Sequence, residues 1–164
     1  MREAFRGFRL VTPHFEFHDR LVLNMGDRVI ELFQLRNIHS EADTAIWLPK
    51  ERVLFSAATA AVNRFGFLRP FVTIDNIKAD IRMLKALNPD VVVPAHGLPG
   101  TVALLDDTDR FYDVLLDRVG KMIGEGRSLQ EIKKSLRLPE YQHWSGGQER
   151  LDTNIEAAYR HLKK

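Results

Sequence analysis

The chain has 164 residues, of which 45% are hydrophobic and 28% are charged, a balance typical of globular proteins. Its net charge of +2 is too small to indicate a nucleic-acid partner by itself. No apolar run approaches the roughly 20 residues that a membrane-spanning helix needs, and the first residues lack the apolar stretch of a signal peptide. The absence of cysteine excludes disulfides and thiolate metal ligands. These features together predict a cytoplasmic protein that binds neither membrane nor nucleic acid.

Nothing in the sequence divides the chain into parts. It carries no internal repeat, no low-complexity tract and no linker-like stretch. The length is also sufficient to bury one hydrophobic core. We therefore predict that residues 1–164 form a single domain.

The first third of the chain has a β-like pattern. Apolar residues alternate with polar ones or form short β-branched runs, and turn residues separate these runs. The pattern predicts strands over residues 15–17, 21–23, 28–33, 44–48 and 52–55. Met25-Gly26-Asp27 predicts the turn of a hairpin, and Pro49-Lys50-Glu51 predicts a tight reversal between the last two strands.

The remainder of the chain is mostly helical. Ile77, Ile81 and Leu84 recur at helical spacing, and Asn88-Pro89 ends that helix. The wholly apolar run over residues 91–93 predicts a buried strand. Further helices are predicted over residues 102–123, from a Ser128–Glu131 capping box to residue 136, and up to residue 162.

This order of elements predicts an α/β (α+β) fold with one mixed sheet and its helices on one face. Leu32, Phe33, Ile46 and Trp47, however, place apolar side chains on both faces of the sheet. A bare apolar face of that size is not expected on a soluble monomer. We therefore expect a partner to cover it.

Three loops that follow strands carry the residues capable of chemistry. They lie within residues 38–44, 53–58 and 91–97, and two of them contain His39 and His96. α/β proteins place their sites in such loops. Each feature alone is weak, because a lone histidine after a strand more often serves as a hydrogen-bonded structural residue.

In this order and spacing the three segments resemble the metallo-β-lactamase superfamily. In that family a His-Thr/Ser-x-x-Asp segment supplies a zinc ligand, as His39-Ser40-Glu41-Ala42-Asp43 would here. A Pro-x-x-x-Val-Leu-Phe hairpin, which residues 48–55 match, leads there to a Gly-Asp whose carboxylate bridges two metals. A Val-Val-Pro-Gly-His-Gly segment provides the last histidine, and residues 91–97 correspond to it. Residues 153–159 look like the terminal helix of many members, so the resemblance covers residues 12–162.

The resemblance implies an αββα sandwich made of two similar halves, of which this chain corresponds to the C-terminal half. It also implies descent from zinc-dependent hydrolases that act on esters, thioesters, lactams or phosphodiesters. Nothing in the sequence selects among these substrates.

The sequence departs from the family pattern at two places. The His-x-His-x-Asp-His motif is absent, and His14-Phe15-Glu16-Phe17-His18 has the wrong spacing to replace it. Ala58 occupies the position of the bridging carboxylate, within Ser-Ala-Ala where the family has Thr-Gly-Asp, and a methyl group cannot coordinate zinc. Only His39 and His96 remain as candidate metal ligands. A catalytic zinc usually needs three protein ligands, so no catalytic residue is predicted. Asp43 either orients an imidazole or caps its own loop.

Three interpretations follow. In the first, which we favour, the chain is catalytically incomplete and self-associates as a homodimer or higher oligomer through its apolar sheet face. In the second, a partner chain supplies the N-terminal half with its histidine-rich motif, and the pair is a zinc-dependent hydrolase. In the third, the sequence is a piece of a longer enzyme. The sequence leaves open whether the assembled protein is an enzyme.

Overall fold

The architecture is one sheet with a helical layer, and the computed structural model describes it over residues 7–9, 11–14 and 16–164. The sheet has the order β1-β2-β3-β4-β5, formed by β1 (Arg20–Asn24), β2 (Val29–Gln34), β3 (Thr44–Leu48), β4 (Val53–Phe55) and β5 (Val91–Val93). Strands β1 to β4 pair antiparallel, whereas β5 pairs parallel to β4. The parallel pair needs a crossover, which α1 (Ile74–Ala86) provides. The remaining helices are α2 (Ala103–Gly124), α3 (Leu129–Ser135) and α4 (Gly147–Leu162).

These strands confirm the sequence prediction except at its start. The alternation over residues 15–17 predicted a strand, but residues 16 and 17 lie outside the sheet, and Phe15 is outside the described residues. The prediction is wrong for residues 16 and 17, which are separated from β1 by Asp19, whose φ of 61° is a left-handed conformation that a strand does not contain. The sheet therefore begins at Arg20.

Local hydrogen bonds explain where the helices begin. The Thr73 hydroxyl accepts the Asn76 N–H at 3.2 Å and caps α1. Ser128 and Glu131 form the predicted capping box, in which the Ser128 N–H donates to the Glu131 carboxylate at 2.8 Å. Helix α4 begins directly after Gly146, whose φ of 111° is accessible to glycine at little cost.

The helices cover one face of the sheet. The register places Trp47, Leu54 and Val92 in one row across β3, β4 and β5, and all three side chains are buried. They belong to the same core as the helix residues Ile81, Leu84, Leu115, Val119 and Ile155. The helical layer does not reach β1, since Val22 lies on this face and is 48% exposed.

The opposite face of the sheet is apolar and has no helical layer over it in the described structure; we call it the helix-free face. The register assigns to it Leu21, Leu23, Ile30, Leu32, Ile46, Leu48, Val53, Phe55, Val91 and Val93. All ten side chains stay at least partly exposed, and Phe55 and Val91 are 40% and 37% exposed. The expected second apolar face is therefore present, and no helix of the described residues covers it.

Two expectations about location concern particular parts of the chain. Within the described ranges, no helix combines the length and the apolar character that crossing a membrane requires. The expectation of no signal peptide depends on residues 1–6, which are outside the described residues.

Candidate functional site at one edge of the sheet

Three loops leave the sheet at the same edge. Strands β2 and β4 each pair antiparallel with β3, so they run in one direction, and β5 runs parallel to β4. The carboxyl ends of β2, β4 and β5 therefore share one edge, where open α/β sheets bind their ligands. His39, Ala58 and His96 follow these three strands in turn.

Asp43 closes the loop that contains His39. Its carboxylate accepts the backbone N–H of His39, the N–H of Ser40 at 3.1 Å and the hydroxyl of Ser40 at 2.8 Å. This bonding is that of a loop cap, one of the two predicted roles of Asp43. The His39 side chain is exposed, and a role for Asp43 in orienting an imidazole stays a prediction.

A buried carboxyl of α1 holds the start of the same loop. Asp80 is fully buried, and it accepts the Arg36 N–H at 2.7 Å and a hydrogen bond from the Arg36 guanidinium. The Asn76 side chain donates to the Arg36 carbonyl at 2.9 Å. Burial raises the pKa of Asp80, while the hydrogen bonds from Arg36 act in the opposite direction. Sequence analysis missed this anchor, although a carboxyl on the apolar side of the α1 pattern, between Ile77 and Ile81, was an available signal.

The turn after β4 has a strained backbone. Ser56 is buried, and its N–H donates to the Val93 carbonyl at 3.0 Å. Ala57 has a φ of 48°, a left-handed conformation that any Cβ disfavours. Ala58 follows within a short 3-10 turn, Ala57–Thr59. In the pattern that the sequence resembles, glycine stands at the position of Ala57, so this turn has a glycine-type backbone without a glycine.

Backbone hydrogen bonds join the His96 loop to the segment after this turn. Ala95 N–H donates to the Ala60 carbonyl at 3.1 Å, and Val62 N–H donates to the His96 carbonyl at 2.9 Å. Gly97 has a φ of 97°, and a Cβ added there would lie 2.5 Å from the Cβ of Val62. Glycine is therefore needed at this position. The backbone of His96 is fixed in this way, whereas its side chain is exposed.

His39 and Ala58 line one small cavity of about 30 Å³. Its other walls include Phe67, Ile77 and Tyr112, so most of its surface is apolar. The volume corresponds to about one water molecule. The structure thus brings His39 together with Ala58, and His96 is not among the residues that line this cavity.

Helix α4 fixes the far wall of the cavity. The Asn154 side chain donates to the Gly66 carbonyl at 2.8 Å and accepts the Tyr112 hydroxyl at 3.2 Å. The Thr153 hydroxyl accepts the Leu68 N–H at 3.1 Å. Burial raises the pKa of Tyr112, so its hydroxyl stays protonated and serves as the donor in this contact. The terminal-helix motif recognised in the sequence therefore has a structural role at the site edge.

The donor set of this edge does not fit a zinc ion. Among the residues that the structure describes, no three His, Cys, Asp or Glu side chains come together as a metal site requires. Ala58 carries no side-chain donor atom, and the other walls of the cavity at His39 contribute no further His, Cys, Asp or Glu side chain. His39 and His96 stay predicted ligands, and a working site would need further donors from outside this set.

No protein-family model and no curated protein matches the sequence. Solved structures do resemble the fold. An inverting sec-alkylsulfatase from Pseudomonas sp. aligns with a TM-score of 0.67 at 22% identity, over 93% of this chain and 27% of its own. A metallo-β-lactamase family protein from Thermus thermophilus aligns with a TM-score of 0.67 at 13% identity, over 93% of this chain and 50% of its own. A metallo-β-lactamase from Pontibacter korlensis aligns with a TM-score of 0.55 at 20% identity, over 66% and 52%.

These alignments establish the fold. The chain has part of a metallo-β-lactamase-type fold, as the sequence motifs implied, and it spans between about a quarter and about half of the length of these structures. Identities this low show the fold alone. The activities in the names of these proteins therefore belong to those proteins.

We predict that Ala57→Gly stabilises the protein by about 0.5–1 kcal/mol. A left-handed conformation costs a non-glycine residue about 1–2 kcal/mol, and the substitution removes this strain. The greater entropy of glycine in the unfolded chain offsets about 0.5–1 kcal/mol of the stability gained. Urea unfolding measures the difference. Ala58→Gly is the matched control, since Ala58 has no positive φ, and it should only destabilise. Equal destabilisation by both substitutions would contradict the strained turn.

We predict that the wild type loses stability relative to Asp80→Asn as the pH rises. Burial raises the pKa of Asp80, so the folded chain binds this proton more tightly than the unfolded chain. The free energy of unfolding of the wild type therefore falls as the pH rises from the ordinary aspartate range through the raised pKa. Urea unfolding of both proteins across that range measures the difference. A rise in the stability of the wild type relative to Asp80→Asn would mean that the pairing with Arg36 dominates. Asp90→Asn is the control for the loss of one charge, because Asp90 forms an exposed ion pair with Arg52.

Proposed function

We propose that this chain is a catalytically incomplete half of a metallo-β-lactamase-type sandwich that self-associates through its helix-free face. The observation that carries this proposal is the row of ten apolar side chains on that face, all partly exposed. Contiguous apolar patches of such extent on soluble proteins mark interaction surfaces.

The chemistry of the face supports a sheet as its partner. Its ten apolar side chains are aliphatic apart from Phe55, and only Gln34 and Thr44, at the end of β2 and the start of β3, add polar groups within these strand pairs. Two such faces pack at about 10 Å with interdigitating side chains, as in β-sandwiches. A second copy of this chain offers a face of the same composition, and a two-fold axis would bury both at once.

The short coverage of the solved structures is consistent with a missing layer. This chain aligns over nearly its whole length, yet it accounts for only 27% and 50% of two of those structures. A second copy, a partner chain or another part of a longer protein would supply the layer. We favour the second copy, and we further propose that residues 1–164 form one domain of a cytoplasmic protein.

A second candidate function is that of a component of a zinc-dependent hydrolase, acting on an ester, thioester, lactam or phosphodiester. It is favoured by one observation: the loops of His39, Ala58 and His96 leave the sheet at one edge. In that case the missing ligands come from a separate segment that also covers the helix-free face. Zinc would then supply the activated water, and His39 and His96 would contribute to holding it.

We predict that Val91→Lys weakens self-association at least tenfold, because a lysine on the helix-free face would be buried unpaired in the assembly. Val22→Lys is the matched control: it changes the same residue type, at 48% rather than 37% exposure, on the opposite face. Sedimentation equilibrium of the three proteins measures the effect. A monomeric wild type at micromolar concentration, or equal effects of both substitutions, would overturn the proposal.

We predict that the chain alone does not hydrolyse lactam, thioester or phosphodiester substrates with or without added zinc. The reason is the incomplete donor set. Ala58→Asp alone should not restore activity, because the histidine-rich motif of the first half would still be absent and His96 does not line the cavity that His39 shares with Ala58. Chromogenic substrate assays on the zinc-loaded protein test this. Zinc-dependent turnover that disappears in His96→Ala would show that the chain is a complete enzyme.

A further inference from the structure

A second concave site lies beside the segment that follows the β4 turn, and it excludes His39, Ala58 and His96. It is a cleft of about 390 Å³, formed by residues 61–63, by α2 and by residues 140–144. This volume lies in the range of small-molecule sites, about 300–1,000 Å³. The small cavity at His39, by comparison, holds only about 30 Å³.

Two aromatic rings form a fixed wall of this cleft. Trp144 and Tyr141 line it, and their ring centroids lie 4.8 Å apart. Both rings pack against Phe111 at 5.2 Å, and Trp144 also packs against Phe65 at 5.5 Å. The wall is therefore held in place by the core without any ligand. Such rings bind the apolar face of a flat or ring-shaped ligand.

Each carboxylate in the cleft walls is paired with an arginine. Asp107 and Arg110 line the cleft and pair at 3.4 Å, while Glu140 pairs with Arg118 at 2.6 Å. Arg118 lies outside the lining, so the cleft walls carry two carboxylates and one arginine, and each carboxylate is paired with an arginine. A charged ligand would gain little net attraction from such a set.

The cleft also offers hydrogen-bonding groups without partners. Among residues 7–9, 11–14 and 16–164, the Tyr141 hydroxyl, the Trp144 indole N–H and the His143 ring have no hydrogen-bond partner. Burial raises the pKa of Tyr141, so its hydroxyl stays a donor. The exposed carboxylate of Asp107 adds acceptor positions.

We propose that this cleft binds a neutral saccharide. A sugar ring combines an apolar C–H face, which fits the Trp144–Tyr141 wall, with hydroxyls that both donate and accept, which fit the mixed polar groups. Its lack of charge agrees with the pairing of both cleft carboxylates with arginines, which leaves neither as an unpaired charge for a ligand. The cleft borders the sheet edge through Val62, whose N–H donates to the His96 carbonyl, but its lining includes neither His39 nor His96 and no residue of the helix-free face. The proposal therefore does not rest on the function proposed above.

The test is a titration of the ¹⁵N-labelled protein with methyl glucoside, maltose and cellobiose, followed by NMR. The chain has two tryptophans, and Trp47 is buried under the helices, so its indole resonance is an internal control. At least one sugar should shift the Trp144 indole resonance in a saturable manner and leave that of Trp47 in place. No saturable shift with any of the three sugars overturns the proposal.

Two matched substitutions on α2 locate the binding. Asp107→Ala should weaken sugar binding at least tenfold, because hydrogen bonds to a charged group are roughly twice as strong as those between neutral groups. Asp117→Ala removes an equally exposed carboxylate, 57% against 55%, from an ion pair outside the cleft, and should leave binding unchanged. Equal weakening by both, or saturable binding of benzylamine or benzoate without any sugar binding, overturns the assignment.

Discussion

The sheet has two apolar faces and the helices cover only one of them, and this imbalance governs the rest of the structure. Trp47 and Leu54 face the helices and are buried, while Ile46 and Phe55 on the same strands face outward. Period-two alternation cannot hide both sets of side chains with a single layer. The free energy of covering the second face would be available to a partner that meets it, which is the physical basis of the proposed self-association.

At the site edge, the backbone is more completely organised than the set of possible metal ligands. The hydrogen bonds between the β4 turn and the His96 loop form a continuous backbone framework, and Ala57 keeps a left-handed conformation. The donor atoms that such a framework would serve are reduced to His39 and His96 in the part of the chain that the structure describes. Backbone geometry depends on the packing of the whole sheet, whereas a ligand is lost with one side chain. Fold similarity at this edge is thus weak support for chemistry.

The sequence predicted features that depend on neighbouring residues. The strands from Leu21 onward, the capping box of Ser128 and the positions of the three loops follow from local patterns. It did not predict the bond between Asp80 and Arg36, because these residues lie far apart in the chain and meet only in the folded state. The saccharide cleft was missed for the same reason, since its walls come from three separate segments. The sequence also did not predict the positive φ of Ala57, because positive φ is usual for glycine and rare for alanine.

The aromatic cluster around Phe111 has a consequence for how the chain folds. Phe65, Phe111 and Trp144 come from a loop, from α2 and from the segment before α4, so their contacts close long stretches of chain. Strands β1 to β4, by contrast, pair with sequence neighbours through short connections. Contacts between distant residues form more slowly than local ones, because loop closure reduces chain entropy before any contact forms. We therefore expect the antiparallel strands to form early and the aromatic cluster to form late. Before the aromatic cluster forms, both apolar faces of the sheet are exposed to water. Folding intermediates are therefore most prone to aggregate at that stage.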